Sequence, residues 1–178
     1  METFTKIKKL VFNPDFYKQR DITLNNINYD KIDIPIIESI KNLSKLDYCF
    51  SLQSCYGHFL YPGENNQYNT NQLPIVNDNM SIDYRIAYIA ICVNNNKDGK
   101  TFLNDLAKLT FADPEYIQFG CAEWFWERQV NSFVLQVEPE RFRDKDRVTI
   151  DYNEALDIEK IRNEFFFKLN GTIEKLVK

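Results

Sequence analysis

Apolar residues recur along this chain in two rhythms, one near 3.6 residues and one of two, and the changes between them lay out the elements. Phe4, Ile7, Leu10 and Val11 stand at helical spacing and predict a short helix over residues 3–12. Asn13-Pro14 ends it, because the residue before a proline resists the α region. Residues 15–31 are polar and read as irregular. Asp33 followed by Pro35 reads as a helix start, and Ile36, Ile37, Ile40 and Leu43 give that helix one apolar face to about Lys45. Period two then takes over. Tyr48, Phe50, Leu52 and Tyr56 alternate with Cys49, Ser51, Gln53 and Cys55, a strand with one apolar and one mixed face, closed by Gly57. Residues 62–83 keep no period and are rich in Asn, so they read as a long loop, either a lid or binding loop or disordered.

The run from Tyr84 to Val93 is apolar almost throughout and reads as a central strand covered on both faces. A turn over Asn94–Gly99 leads to a helix through Phe102, Leu103, Leu106, Ala107 and Leu109, stopped near Asp113-Pro114. Ile117–Trp126 and Ser132–Glu138 read as two further strands, with Arg128–Asn131 short enough for a hairpin although it lacks Gly. Asp151 and Glu154 form a capping-box-like start for a long C-terminal helix carrying Ala155, Ile158, Ile161, Phe165, Leu169 and Ile173 on one face. No repeat or domain boundary interrupts residues 1–178. The expectation is one α+β domain: about four strands in a mostly antiparallel sheet, layered with three or four helices.

Composition narrows the function classes. Aromatic residues make up 15% of the chain, which predicts a bulky core whose buried Tyr hydroxyls need partners. Acidic residues outnumber basic ones, for a net charge of −4, and duplex DNA binding, driven by phosphate neutralisation, is disfavoured. Arg141 to Arg147 interleaves bases with acids and reads as a solvated loop. The four cysteines form no C-x-x-C pair, no segment reads as a signal peptide, and no apolar run approaches a membrane span. The chain reads as soluble and cytoplasmic with free thiols; its oligomeric state leaves no mark on the sequence.

Chemistry concentrates in Gln53-Ser54-Cys55-Tyr56-Gly57-His58 at a strand end. His58 is the only histidine, and Gly57 before it lets the backbone turn or approach a ligand. Cys55 and His58 could form a thiolate–imidazolium pair or half a metal site; the plainer alternative is a core cysteine and a surface histidine. No full ligand set for a metal is assigned. The nearest is Cys55, His58 and Cys121 with an acidic residue. The second candidate, Gly120 to Arg128, would as a strand put Trp124, Trp126 and Arg128 on one face, a stacking surface for a base or a cation, unless these rings pack under a helix. Glu123 lies on its other face and could join Glu138 in a carboxylate pair. Gly99-Lys100-Thr101 has the ending of a phosphate-binding loop but Asn94 where that pattern requires glycine, so a turn and helix start is the ordinary reading.

The stretch from Ile36 through His58 resembles the N-terminal motif of the methyltransferases that act on tRNA in wybutosine synthesis. In that family a helix leads into a strand ending in a Ser-Ser-Cys-Ser-Gly-Arg type motif. Ser54, Cys55 and Gly57 match it, Gln53 and Tyr56 depart, and His58 stands at the arginine position. The resemblance implies an α+β fold, a site at this strand end and S-adenosylmethionine as methyl donor. The resulting expectation is an enzyme that modifies a small molecule, a nucleotide or a local RNA feature. His58 and Cys55 are its catalytic candidates, and Ser54, Gln53, Gly57, Glu123, Trp124 and Trp126 its ligand contacts. The alternative is a non-catalytic binding or regulatory protein that uses the aromatic surface around Trp124 and Trp126.

Overall fold

A computed structural model describes residues 4–60, 73, 75 and 80–177. Its elements in chain order are β1 (Phe4–Thr5), α1 (Phe16–Asn25), α2 (Ile37–Lys45), β2 (Cys49–Cys55), β3 (His58–Leu60), β4 (Ser81–Arg85), β5 (Ala87–Val93), α3 (Lys97–Leu109), β6 (Ile117–Ala122), α4 (Glu123–Arg128), β7 (Ser132–Val137), β8 (Arg147–Asp151) and α5 (Tyr152–Val177). The α+β class, the antiparallel pairing and the long C-terminal helix match the sequence reading. The strands, however, form two sheets, of order β1-β6-β7-β5-β2 and β3-β4-β8, with every pairing antiparallel.

The apolar run of β5 has the cause that its composition suggests. Ile89, Ile91 and Val93 belong to the main core with Ile40 and Leu43 of α2, Phe102 and Leu106 of α3, and Ile158, Phe165 and Leu169 of α5. On the other face, Ala90 packs with Phe125 of α4, and Cys92 with Phe16 of α1 and Phe50 of β2. Burying each large side chain here contributes about 1.5–3 kcal/mol, so helices on both faces hold this strand.

Several expectations are overturned, each by a tertiary contact that outweighs local pattern. Among the described residues, 4–12 are not helical. Phe4 and Thr5 pair with Ala122 and Cys121, and Val11 exchanges two 2.8 Å hydrogen bonds with the Asn131 side chain. Asn131 has φ 63° and is fully buried, so it fills the left-handed turn position for which the sequence offered no glycine and clasps the N-terminal segment as well. The polar stretch after Pro14 holds a helix, α1, anchored by one buried residue, Phe16, which gives no periodic signal. The strand expected to reach Trp126 stops at Ala122. Phe125 then turns inward over Ala90 and Val134, with Glu123 and Arg128 at the ends the helix dipole favours, so Arg128–Asn131 is not a simple hairpin. The segment after Arg143 includes β8, and the strand expected from Tyr84 is broken at Ile86.

The loop placed at 62–83 lies largely outside the described residues. Within them, Ser81–Asp83 are part of β4, and Leu73 is buried with its N–H donating to Glu159 of α5 at 2.7 Å. The four cysteines are unpaired and buried, and no helix among the described residues is long and apolar enough to cross a membrane.

Two short crossings join the sheets. Tyr56-Gly57 carries the chain from β2 into β3, and Ile86 carries it from β4 into β5. Gly57 has φ 88°, and a Cβ there would stand 2.9 Å from Ala87 Cβ. Tyr84 clasps the second crossing: its hydroxyl donates to Val137 O (2.8 Å) and accepts from Ala87 N (2.9 Å). The strand end that the sequence singled out is thus the place where one sheet hands over to the other.

Candidate site at the strand crossing

β2 is an edge strand and carries a bulge. Ser51 pairs with Ile91 and Gln53 with Ala90, so Leu52 has no partner opposite it. The strict alternation expected from Tyr48 to Tyr56 therefore fails halfway along, and Cys55 lies beside Tyr88 on the face that carries Phe50 and Cys92. Along this open edge runs a groove of about 500 Å³, walled by Ser51, Gln53 and Ser54 on one side and by Thr23, Asn28 and Lys31 on the other. Arg20 fixes the α1 wall: its guanidinium donates to Ser44 O (2.7 Å) and Leu46 O (3.0 Å) at the C-terminal end of α2.

Next in sequence after two residues that line the groove, Ser54 and Ile32, come Cys55 and Asp33, which lie outside its lining. With His58 they bring three donor atoms within 4.8 Å of one another. The local backbone aims two of them. Tyr56 N–H donates to Asp33 Oδ2 at 2.7 Å, and Gly57 N–H donates to Cys55 Sγ at 3.4 Å, the latter made possible by the left-handed turn. His58 is not the surface residue of the plainer reading: it is 4% exposed. Its Nε2 lies 3.5 Å from Asp33 Oδ2, at the outer limit of a hydrogen bond, while its Nδ1 has no partner.

The neighbouring Asp33 carboxylate, and then Cys55, push the imidazole up to about 9 against the effect of burial. For Asp33, burial opposes ionisation, but His58 and the Tyr56 N–H outweigh it and hold the carboxyl below its usual range. Near neutral pH the pair is therefore an imidazolium beside a carboxylate.

Beneath it lies Arg162 of α5, 1% exposed, which the sequence reading missed. Its guanidinium donates to Gly57 O (3.1 Å) and Asn163 Oδ1 (3.0 Å) and lies 4.3 Å from the Tyr56 ring centroid and 5.1 Å from that of Phe59. Tyr56 OH donates to the same Asn163 Oδ1 at 2.7 Å. A signal was available: Arg162 interrupts the apolar face Ile158, Phe165, Leu169, and a charge on a buried stripe has a job. Asp33 offered no such signal, because its partner lies 25 positions away and only the fold brings the two together.

The remaining candidates do not join this site. Cys121 is on β6, separated from β2 by β7 and β5, and accepts from Lys8 N–H at 3.4 Å. Glu123 pairs with Lys8 at 2.8 Å. Glu138 follows the end of β7, and antiparallel pairing with β6 puts Glu123 at the opposite end of the strand pair, so the two carboxylates do not meet. Helical geometry separates the tryptophans. Trp124 is 42% exposed under the Arg128 guanidinium at 4.1 Å, whereas Trp126 packs edge-on against Phe133 below Lys8. The two rings form no common stacking face. Gly99 is inside α3, its N–H donating to the Asn96 cap at 2.8 Å, as expected of a helix start rather than a phosphate loop.

No family model matches the sequence, and no curated protein matches it. Among solved structures the chain is similar to the PH1069 protein from Pyrococcus horikoshii, at a TM-score of 0.49 and 10% identity over 89% of this chain and 94% of that one. It is also similar to a hypothetical protein from Aeropyrum pernix, at a TM-score of 0.41 and 17% identity over 82% of this chain and 96% of the other. At these values neither likeness bears on chemistry.

Proposed function

We propose that this chain is an enzyme that modifies a nucleotide or similarly small molecule by methyl transfer from S-adenosylmethionine bound in the groove along the open edge of β2. The observation that carries the reading is that Ser54, the first residue of the Ser54-Cys55-Gly57 motif, lines an open groove of mixed polar and aliphatic side chains. Gln53 and Ser54 are the contacts to ligand, and Gly57 lets the strand end approach it. Methyl transfer breaks a sulfonium C–S bond as the acceptor's new bond to carbon forms, and a neutral acceptor also loses a proton. The groove's size suits a nucleoside-bearing cofactor. His58, protonated near neutral pH beside Asp33, is suited to supply positive charge behind the groove-lining end of β2 rather than to act as a free base.

The test is thermal unfolding with and without S-adenosylmethionine. Ligand at 100 times its dissociation constant adds about 2.7 kcal/mol, a rise of roughly 5–10 °C for a chain of this size. Gln53→Trp, at an exposed position of the groove wall, leaves the unliganded Tm in place and removes the rise. A wild-type chain that gains nothing at millimolar ligand overturns the assignment of the cofactor.

A further inference from the structure

The geometry points to a transition-metal site, of zinc type, formed by Asp33, Cys55 and His58, with a fourth position on the partly exposed Asp33 side. The three side chains supply one oxygen, one sulfur and one nitrogen. That donor set is foreign to magnesium and calcium, which take oxygen, and ordinary for zinc.

Three observations carry it. The first is distance. A charge-assisted hydrogen bond between imidazolium and carboxylate closes to about 2.7–2.9 Å, yet His58 Nε2 and Asp33 Oδ2 stand 3.5 Å apart. Neighbouring donors around a tetrahedral zinc lie about 3.3–3.7 Å apart, given bonds of about 2.0–2.3 Å. The pair is thus too far apart for the bond it would otherwise make and suitably spaced for an ion between them. Closing the whole set from its 4.8 Å span takes a shift of about one ångström.

The second is the histidine itself. Buried Nδ1 has no hydrogen-bond partner, and Nε2 reaches Asp33 only at 3.5 Å, with Cys55 the other neighbour. A neutral imidazole bound to a metal through one nitrogen leaves at most one N–H to satisfy. The third is the outer support. Backbone N–H groups from Tyr56 and Gly57 already hold the Asp33 oxygen and the Cys55 sulfur, the arrangement that orients metal ligands. Asp33, with its side chain 22% exposed, is the side from which an ion and its fourth ligand enter.

The site stands independently of the methyl-donor reading and is tested without activity. The purified full chain, stripped with chelator, is titrated with Zn²⁺ against a chromophoric competitor and with Co²⁺ as a spectroscopic probe. One equivalent binds, and Co²⁺ develops a thiolate charge-transfer band. Cys55→Ser abolishes the band, Asp33→Asn weakens Zn²⁺ binding at least about tenfold, and Cys121→Ser changes neither. Should Cys55→Ser fail to fold, the wild-type Co²⁺ band and the partly exposed Asp33→Asn variant decide alone. Absence of one-to-one binding in the folded wild type overturns the proposal, as does a band that survives Cys55→Ser or is lost equally in Cys121→Ser.

Discussion

Single residues at the strand crossing carry constraints that their side-chain chemistry does not announce. Gly57 combines a left-handed backbone with a Cβ position pressed against Ala87 and Tyr84. Gly57→Ala therefore destabilises by about 1–3 kcal/mol, read as a lower denaturant midpoint at unchanged slope; an unchanged midpoint would show that the crossing relaxes freely. Glu138 is constrained chiefly by burial. It is fully buried with Oε1 unpartnered, and burial first, then Asp144 and Asp146, push its carboxyl up to about 9. In the unfolded chain it ionises near the ordinary value of 4.5, so the folded state holds the extra proton between there and about 9. Stability is full below that window and falls as pH rises through it, by up to about 1.4 kcal/mol per pH unit, levelling off above. Glu138→Gln removes that slope; equal slopes in the two proteins would show that the carboxyl titrates normally.

Elements differ in how openly the sequence announces them. α5 was legible from its start, because Asp151 accepts from Glu154 N–H at 2.9 Å and the apolar face persists to Ile173, while Gly171 left its end open. Gly171 lies inside it, with nothing within 4 Å of where a Cβ would stand. Gly171→Ala raises stability by about 0.5–1 kcal/mol, measured as a higher Tm; a loss would mean that the helix end is packed against something else. α2 and β7 were equally plain, and β5 was plain apart from the break at Ile86. α1 and α4 were not, because each is held by a single inward ring, Phe16 or Phe125, and one anchor makes no period. β1 and β3, at two and three residues, are too short for alternation to register.

At the scale of the whole molecule, the sequence located the neighbourhood of the site and missed its membership. Ser54, Cys55, Gly57 and His58 fall at one crossing because they are neighbours in the chain. Asp33 and Arg162 join them only because α2 and α5 pack on the same face of the sheets, a relation that no local pattern encodes. The same separation explains why Cys121, Glu123, Trp124 and Trp126 were read toward the site and lie away from it: β7 and β5 intervene.

The bulge at Leu52 bears on this arrangement differently. On either side of it, β2 meets β5 residue for residue, Ser51 with Ile91 and Gln53 with Ala90. A chain one residue shorter there would pair without interruption and keep every flanking side chain on its present face. Leu52 is surplus to the sheet, and what it adds lies outside the ladder: a wall residue and a local bend at the groove. The length of β2 thus answers to the cleft beside it, and the strand is one residue longer than its partner requires.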